Sequence, residues 1–384
     1  MKHLKRGSVA IVGVAESDLG NVAKGTSPTD LMAQATRRAL DDCGLQLKDI
    51  DGVFSAAGQV RMATLGIAEY LGIFPRYADA TRIGGSSFIS HLGHAHAAIE
   101  AGLCDVALIV YGSTQRSVTR AIAAPGEYNH YETPYRPMLP ASAYALAASR
   151  HMHLHGTTRE QLAEVAVAAR EWALMNPAAW EKEPLTIDQV LSSRMVSSPL
   201  TVRDCCLVTD GGGAVILTSA ERAKSLRKAP AFVLGTGEQL SHYDISSMAD
   251  LATTGAVESG TRAYAMAGLG PSDIDVCQLY DAFTINTILF LEDLGFCKKG
   301  EGGSFVSGGR IAPGGTLPVN TNGGGLSYCH PGMYGIFLLI EATRQLRGEC
   351  EKRQVKNCET ALVHGNGGVL SSQCTAILGS TATV

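Results

Sequence analysis

The stretch ALDDCGLQLKDIDGVFS at 39–55 returns 224 positions later as AYAMAGLGPSDIDVCQLY at 263–280. Both carry Gly-Leu, a few polar residues, Asp-Ile-Asp and then an apolar run, which reads as the end of a helix, a loop and the start of a strand. A second pair keeps the same order. A helix ending IEAGLCD precedes VALIVYG (106–112), and a helix ending RQLRGEC precedes TALVHGN (360–366). A chain that repeats its order of elements is committed to two similar halves. Each half alternates amphipathic helices with short buried runs such as VAIVGV, ALIVY, AVILT and AFVLG. That alternation predicts a duplicated, layered α/β sandwich, with residues 1–225 as the first half and 226–384 as the second.

Between the repeats, residues of about 113–200 break the pattern. PGEYNHYETPYRPMLPASAY leads into a helix, TTREQLAEVAVAAREWALMNP, and then a Ser- and Pro-rich stretch. This is an inserted loop domain on the first half, a place where α/β scaffolds carry specificity; a structural dimer lid is the other reading.

The charge balance narrows the function. With 384 residues, 45% hydrophobic and a formal net charge of −4, the chain can bury a large core and shows no basic footprint for nucleic acid. The apolar run VAIVGVA near the start ends at Glu16, too short for a membrane span or a signal-peptide core. The expectation is a cytoplasmic protein with small-molecule chemistry. Its ten cysteines include no C-x-x-C pair, which predicts reduced thiols.

Residues 82–96, RIGGSSFISHLGHAH, place Gly-Gly-Ser-Ser before a helix. Small residues there let a ligand approach free backbone N–H groups. Ser86 or Ser87 is then a nucleophile, or simply an N-cap. Matching Gly102 to Gly348 carries Gly84 onto His330 of SYCHPGMYG, so the two segments begin equivalent helices. If the halves pack about a pseudo-twofold axis, the two N-termini face each other and form an oxyanion site. The triplets His91/His94/His96 and His151/His153/His155 do not share a helix face and have no completing ligand, so no metal site is expected. TDGGGAV and NTNGGGLS lack the signatures of phosphate or dinucleotide loops.

HMHLHGTTREQLAEVAVAAREWALMNP, TDGGGAVILTSAERA, YDAFTINTILFLEDLGFC, NTNGGGLSYCHPGMYG and HGNGG together resemble the thiolase superfamily, in particular the sterol-carrier-type thiolases, over nearly the whole chain. The resemblance implies a five-layer αβαβα fold, acyl-CoA substrates with coenzyme A as part of the substrate, no tightly bound cofactor, and a homodimer or tetramer. The catalytic pattern departs from the family. Counting back from Gly102, the nucleophilic cysteine falls at Gly85. The second cysteine falls near His364, a residue able to move protons but not to replace a thiolate. Tyr280 of YDAF stands for the histidine or asparagine that holds one oxyanion. His330 of CHP and Asn320 match the family, leaving one oxyanion donor.

Without a nucleophile, such a site can still stabilise a thioester enolate, which is what retro-aldol cleavage of a β-hydroxyacyl-CoA requires. The pattern is similar to that of thiolase-like aldolases that shorten steroid side chains. That similarity makes a second catalytic tyrosine plausible, Tyr328 ahead of Tyr334, with Tyr334 as a binding residue. It also implies a small partner with a zinc ribbon and an OB-fold. Gly85 and Ser86 become neighbours of the thioester, Ser86 donating a hydrogen bond. An acyltransferase using Ser86, Ser87 or a cysteine, and a non-catalytic acyl-CoA-binding subunit, remain the alternatives.

Overall fold

The computed structural model describes residues 4–119 and 129–384. The first four residues of PGEYNHYETPYRPMLPASAY, and part of the predicted insertion with them, lie outside the described residues. The strands are β1 (Val9–Glu16), β2 (Gly52–Ser55), β3 (Tyr77–Asp79), β4 (Val106–Ser113), β5 (Met195–Ser197), β6 (Leu200–Thr201), β7 (Gly211–Ser219), β8 (Ala231–Leu240), β9 (Val276–Leu279), β10 (Thr360–Gly367) and β11 (Ser372–Gly379). The helices are α1 (Pro28–Cys43), α2 (Ala63–Leu71), α3 (Ser87–Glu100), α4 (Ala141–His155), α5 (Arg159–Leu174), α6 (Ile187–Leu191), α7 (Ala220–Ala223), α8 (Ala256–Ala267), α9 (Thr284–Asp293), α10 (Gly302–Val306) and α11 (Gly335–Arg347).

The repeat folds as a repeat. After α1 and after α8, Gly44 (φ 80°) and Gly268 (φ 65°) end the helix in the left-handed conformation, where a side chain would be strained. A 3-10 turn follows in each half, and then β2 or β9, each parallel to its neighbour β4 or β10. The strand order is β3-β2-β4-β7-β1-β8-β11-β10-β9. The halves meet where β1 pairs with β8 through Ala10–Phe232 and Ile11–Ala231.

The inner strands β1, β4, β7, β10 and β11 are almost wholly buried runs because both of their faces are covered. α1 packs on β1, β4 and β7, and α8 on β8 and β11, forming the outer layers. α3 and α11 touch each other and strands of both halves, forming the middle layer. Helix, sheet, helix, sheet, helix is the five-layer αβαβα order expected. Between β4 and β7 the chain leaves the sheet to build α4, α5, α6 and the β5–β6 ribbon. Among the described residues no helix is long and apolar enough to cross a membrane.

Candidate active site

The centre lies where the middle-layer helices begin. α3 is preceded by a 3-10 turn, Gly84–Ser86. α11 begins at Gly335, five residues after His330, because Pro331 and Gly332 (φ 92°) interrupt the chain. The two starts abut as expected: a methyl group on Gly335 would stand 2.1 Å from the Gly85 carbonyl oxygen. His330, however, sits in the loop before the helix and not at its first residue.

Tyr280 follows the end of β9 and reaches into this junction. Its hydroxyl is 3.0 Å from His330 Nε2 and accepts the backbone N–H of Tyr334, the N-cap of α11, at 3.2 Å. The ring fills the space beside Gly85, the residue at which the expected nucleophile falls by counting back from Gly102. A methyl group on Gly85 would lie 2.1 Å from Tyr280 Cε2, 2.5 Å from Cζ and 2.6 Å from the hydroxyl oxygen. Gly85 is therefore required by Tyr280, and a cysteine cannot occupy that position while the ring stays where it is.

Burial sets the protonation of the pair. Desolvation holds the Tyr280 phenol well above its usual range and pushes the His330 imidazole down to about 4. At neutral pH both are uncharged, so the phenol can donate to the ring nitrogen. Thr209 Oγ1 accepts the His330 backbone N–H at 3.0 Å. Tyr111, at the end of β4, donates its hydroxyl to the Pro331 carbonyl at 2.5 Å and accepts the Met333 N–H at 3.1 Å. The first half thereby braces the loop that carries a residue of the second.

The remaining predicted residues divide. Tyr334 stays at the centre through its backbone N–H and its ring, edge-on to Tyr280 at 5.8 Å, while its hydroxyl donates to Asn322 Oδ1 at 2.8 Å. Tyr328 does not join the centre. Its hydroxyl donates to Glu16 Oε1 at 2.9 Å, a carboxylate also held by Arg344, and it lines a separate cavity of about 390 Å³ with Arg38 and Arg344. A phenol beside a carboxylate–guanidinium pair has its hydrogen bond spent there. Asn320 accepts the Leu279 N–H through Oδ1 at 2.7 Å, bracing the end of β9, and its side chain also hydrogen-bonds Asp281.

His364 lies inside the sheet, fully buried, with Nδ1 2.8 Å from Thr375 Oγ1 and Nε2 2.9 Å from Gln373 Oε1. Both nitrogens are engaged away from Tyr280, and desolvation lowers its pKa to about 4. Ser86 is likewise turned inward: its hydroxyl meets Ser372 Oγ at 2.6 Å and donates to the Ile83 carbonyl at 3.1 Å. Ser87 donates to the Gly84 carbonyl at 2.7 Å. The hydrogen bonds described for these two hydroxyls run to backbone groups and to Ser372, not to a base able to ionise a serine.

Burial also keeps thiols beside the centre protonated. It pushes up the thiols of Cys206, whose N–H is bonded to the Ala282 carbonyl, and of Cys329, which precedes His330, and Cys205 is raised to about 12. A protonated thiol is a poor nucleophile. Among the described residues no group of three or more His, Cys, Asp or Glu is placed to hold a metal ion. His94 instead pairs with Asp79 at 2.5 Å, and His151 with Glu292 at 3.1 Å.

Three more residues surround the centre. Tyr111 is the one aromatic in an otherwise aliphatic buried strand, a signal visible in ALIVY. Asp281 sits inside the quoted YDAF motif. Tyr144, from α4 of the insertion, stacks on Phe283 at 4.4 Å and accepts the Asn366 amide at 2.8 Å, a long-range contact that spacing does not reveal.

Residues 237–380 match the family "Thiolase C-terminal domain-like". Over 376 residues the chain is 35% identical to an acetyl-CoA acetyltransferase of Methanothermobacter thermautotrophicus, covering 94% of this chain and 96% of the relative. It is 34% identical over 385 residues to the 17-hydroxy-3-oxo-4-pregnene-20-carboxyl-CoA lyase of Mycobacterium tuberculosis, covering 95% and 98%. Among solved structures it is similar to the Ltp2-ChsH2(DUF35) aldolase, with a TM-score of 0.89 and 30% identity over 98% of this chain and 99% of the other.

Proposed function

The chain belongs to the thiolase superfamily, and from that premise we propose that it is an acyl-CoA enzyme that cleaves a carbon–carbon bond of a β-hydroxyacyl-CoA by a retro-aldol step. The observation that carries this reading is Tyr280, which occupies the space a nucleophile on residue 85 would need. Relatives named as a carboxyl-CoA lyase and a steroid side-chain-cleaving aldolase support it.

The neutral Tyr280–His330 pair supplies the proton transfers. As the phenol takes the proton of the substrate's β-hydroxyl, its own proton passes to His330 Nε2. The oxygen's freed electron pair forms the carbonyl of the departing ketone or aldehyde, the Cα–Cβ bond breaks, and the electron pair of that bond stays on Cα as the enolate of the shortened acyl-CoA. The proton then returns through Tyr280 to Cα, so the net change moves one hydrogen from oxygen to carbon. Because burial opposes a free phenolate, the two transfers occur together. In this reading the starts of α3 (Ser87) and α11 (Gly335) turn the positive ends of their backbone dipoles toward the enolate. Steroid or other lipid side chains are the substrate class.

A homodimer, and a small OB-fold and zinc-ribbon partner that helps to bind the thioester, belong to the same proposal. The neighbouring aldolase structure, named with ChsH2(DUF35), supports the partner. One observation favours an acyltransferase, the 35% identity to a protein of that name; the protonated thiols and the inward-turned serines weigh against it.

The test incubates the protein, alone and with a DUF35-type partner, with β-hydroxyacyl-CoA and β-ketoacyl-CoA panels, with and without free CoA. Release of a ketone or aldehyde from the hydroxy substrates without free CoA is expected. Cleavage confined to the keto substrates and dependent on added CoA would overturn the reading.

A further inference from the structure

We propose that Asp281 is a positioning residue that sets the Tyr280–His330 hydrogen bond, a role that rests on the catalytic reading above. Its carboxylate is fully buried and belongs to the residue that follows Tyr280. Oδ1 accepts the N–H of Gly325 at 2.6 Å, and Oδ2 faces the N–H of Leu326 at 3.4 Å. Both amides lie in the Gly324–Tyr328 turn, which runs through Cys329 directly into His330.

The turn is shaped for this approach. Gly324 has φ +65°, and a methyl group there would stand 1.9 Å from Oδ2. A methyl group on the next residue, Gly325, would stand 3.2 Å from His330 Cδ2 and 3.3 Å from Asp281 Oδ1, so the imidazole and the carboxylate border the same point of the turn. One side chain thus ties the backbone of Tyr280 to the backbone that delivers His330. A neighbouring strap makes a parallel link: Cys206 N–H donates to Ala282 O, and Leu207 N–H to Gly325 O, at 2.8 and 2.9 Å. Loss of Asp281 therefore leaves the segments attached but frees the turn on the side facing the pair. Above about pH 7, where Asp281 is ionised, its carboxylate accepts at two oxygens, whereas an amide accepts at one.

The experiment compares Asp281→Ala and Asp281→Asn with wild type in steady-state turnover and in the 15N resonance of His330 Nε2, assigned by its loss in His330→Gln. Misplacement of reacting groups by about 1 Å costs on the order of 10²-fold. Asp281→Ala is expected to lower kcat by about that factor with KM within about threefold, and to move the Nε2 resonance toward that of an unbonded ring. Asp281→Asn, keeping one acceptor, is expected to fall between Asp281→Ala and wild type in both readouts. If the alanine variant does not fold, the asparagine variant decides by the same two readouts. An unchanged Nε2 resonance, a kcat near wild type, or a loss confined to KM overturns the proposal. The resonance needs no substrate, so it tests positioning even if wild type cleaves no β-hydroxyacyl-CoA; that result would count against the reaction alone.

Discussion

At the scale of single residues, Gly85, Tyr280 and Ser86 separate the possible chemistries. A Cβ at residue 85 collides with the Tyr280 ring, so Gly85→Ala is expected to cost about 1–3 kcal/mol of stability through overpacking and to displace the phenol, with turnover falling by about 10²-fold. An active, equally stable Gly85→Ala in thermal melts and kinetics would show that the ring does not need that space. Tyr280→Phe keeps the ring and removes the proton carrier. Its kcat is expected to fall by about 10²–10⁴-fold with thioester affinity, measured by calorimetry, almost unchanged. Ser86→Ala separates the two readings of the Gly-Gly-Ser-Ser stretch. Because the hydroxyl is spent on Ser372 and the Ile83 carbonyl, the variant is expected to lose about 1 kcal/mol and little turnover; a large loss of rate at normal stability would restore serine to the chemistry.

At the scale of elements, the repeat makes the fold legible in the sequence itself. Gly44 and Gly268 cap equivalent helices, β2 and β9 follow them, and the starts of α3 and α11 meet as the matched glycines imply. Tyr280 and His330 were legible because they interrupt or retain recognisable family motifs. The directions of Tyr328, Asn320, His364 and Ser86 were not, because each turns toward a partner distant in sequence, such as Glu16 or Ser372. Spacing along a chain fixes which face a residue occupies but not which remote group claims its hydrogen bond. Tyr111 shows the same limit from the other side. It anchors the Pro331–Met333 loop from β4, and Tyr111→Phe is expected to lose about 1–2 kcal/mol and to reduce kcat more than KM. A variant indistinguishable from wild type in both melts and kinetics would remove that brace from the account.

At the scale of the whole molecule, the buried imidazoles predict the response to acid. Desolvation lowers His91, His330 and His364 each to about 4. Below an unfolded value near 6.5 the unfolded chain takes up protons that the folded chain refuses, so stability falls as pH drops toward 4, by up to about 1.4 kcal/mol per pH unit for each histidine. Asp281, raised by desolvation to about 7, gains a proton in the folded state and opposes the trend. Asp293, raised by desolvation, and His94, raised by its hydrogen bond to Asp79, act in the same opposing sense. The three strongly lowered histidines are expected to prevail, with Tm falling between pH 7 and 5; a Tm that rises over that range would contradict the buried neutral rings.

The central claim is that Tyr280 has replaced the nucleophile and that no acyl-enzyme forms. Intact-protein mass spectrometry during turnover of a β-hydroxyacyl-CoA, quenched in acid at the steady state, tests it most directly. The account predicts accumulating ketone or aldehyde and shortened acyl-CoA while the protein keeps its unmodified mass. A protein mass increased by the acyl group, formed and lost at the rate of turnover, would contradict it.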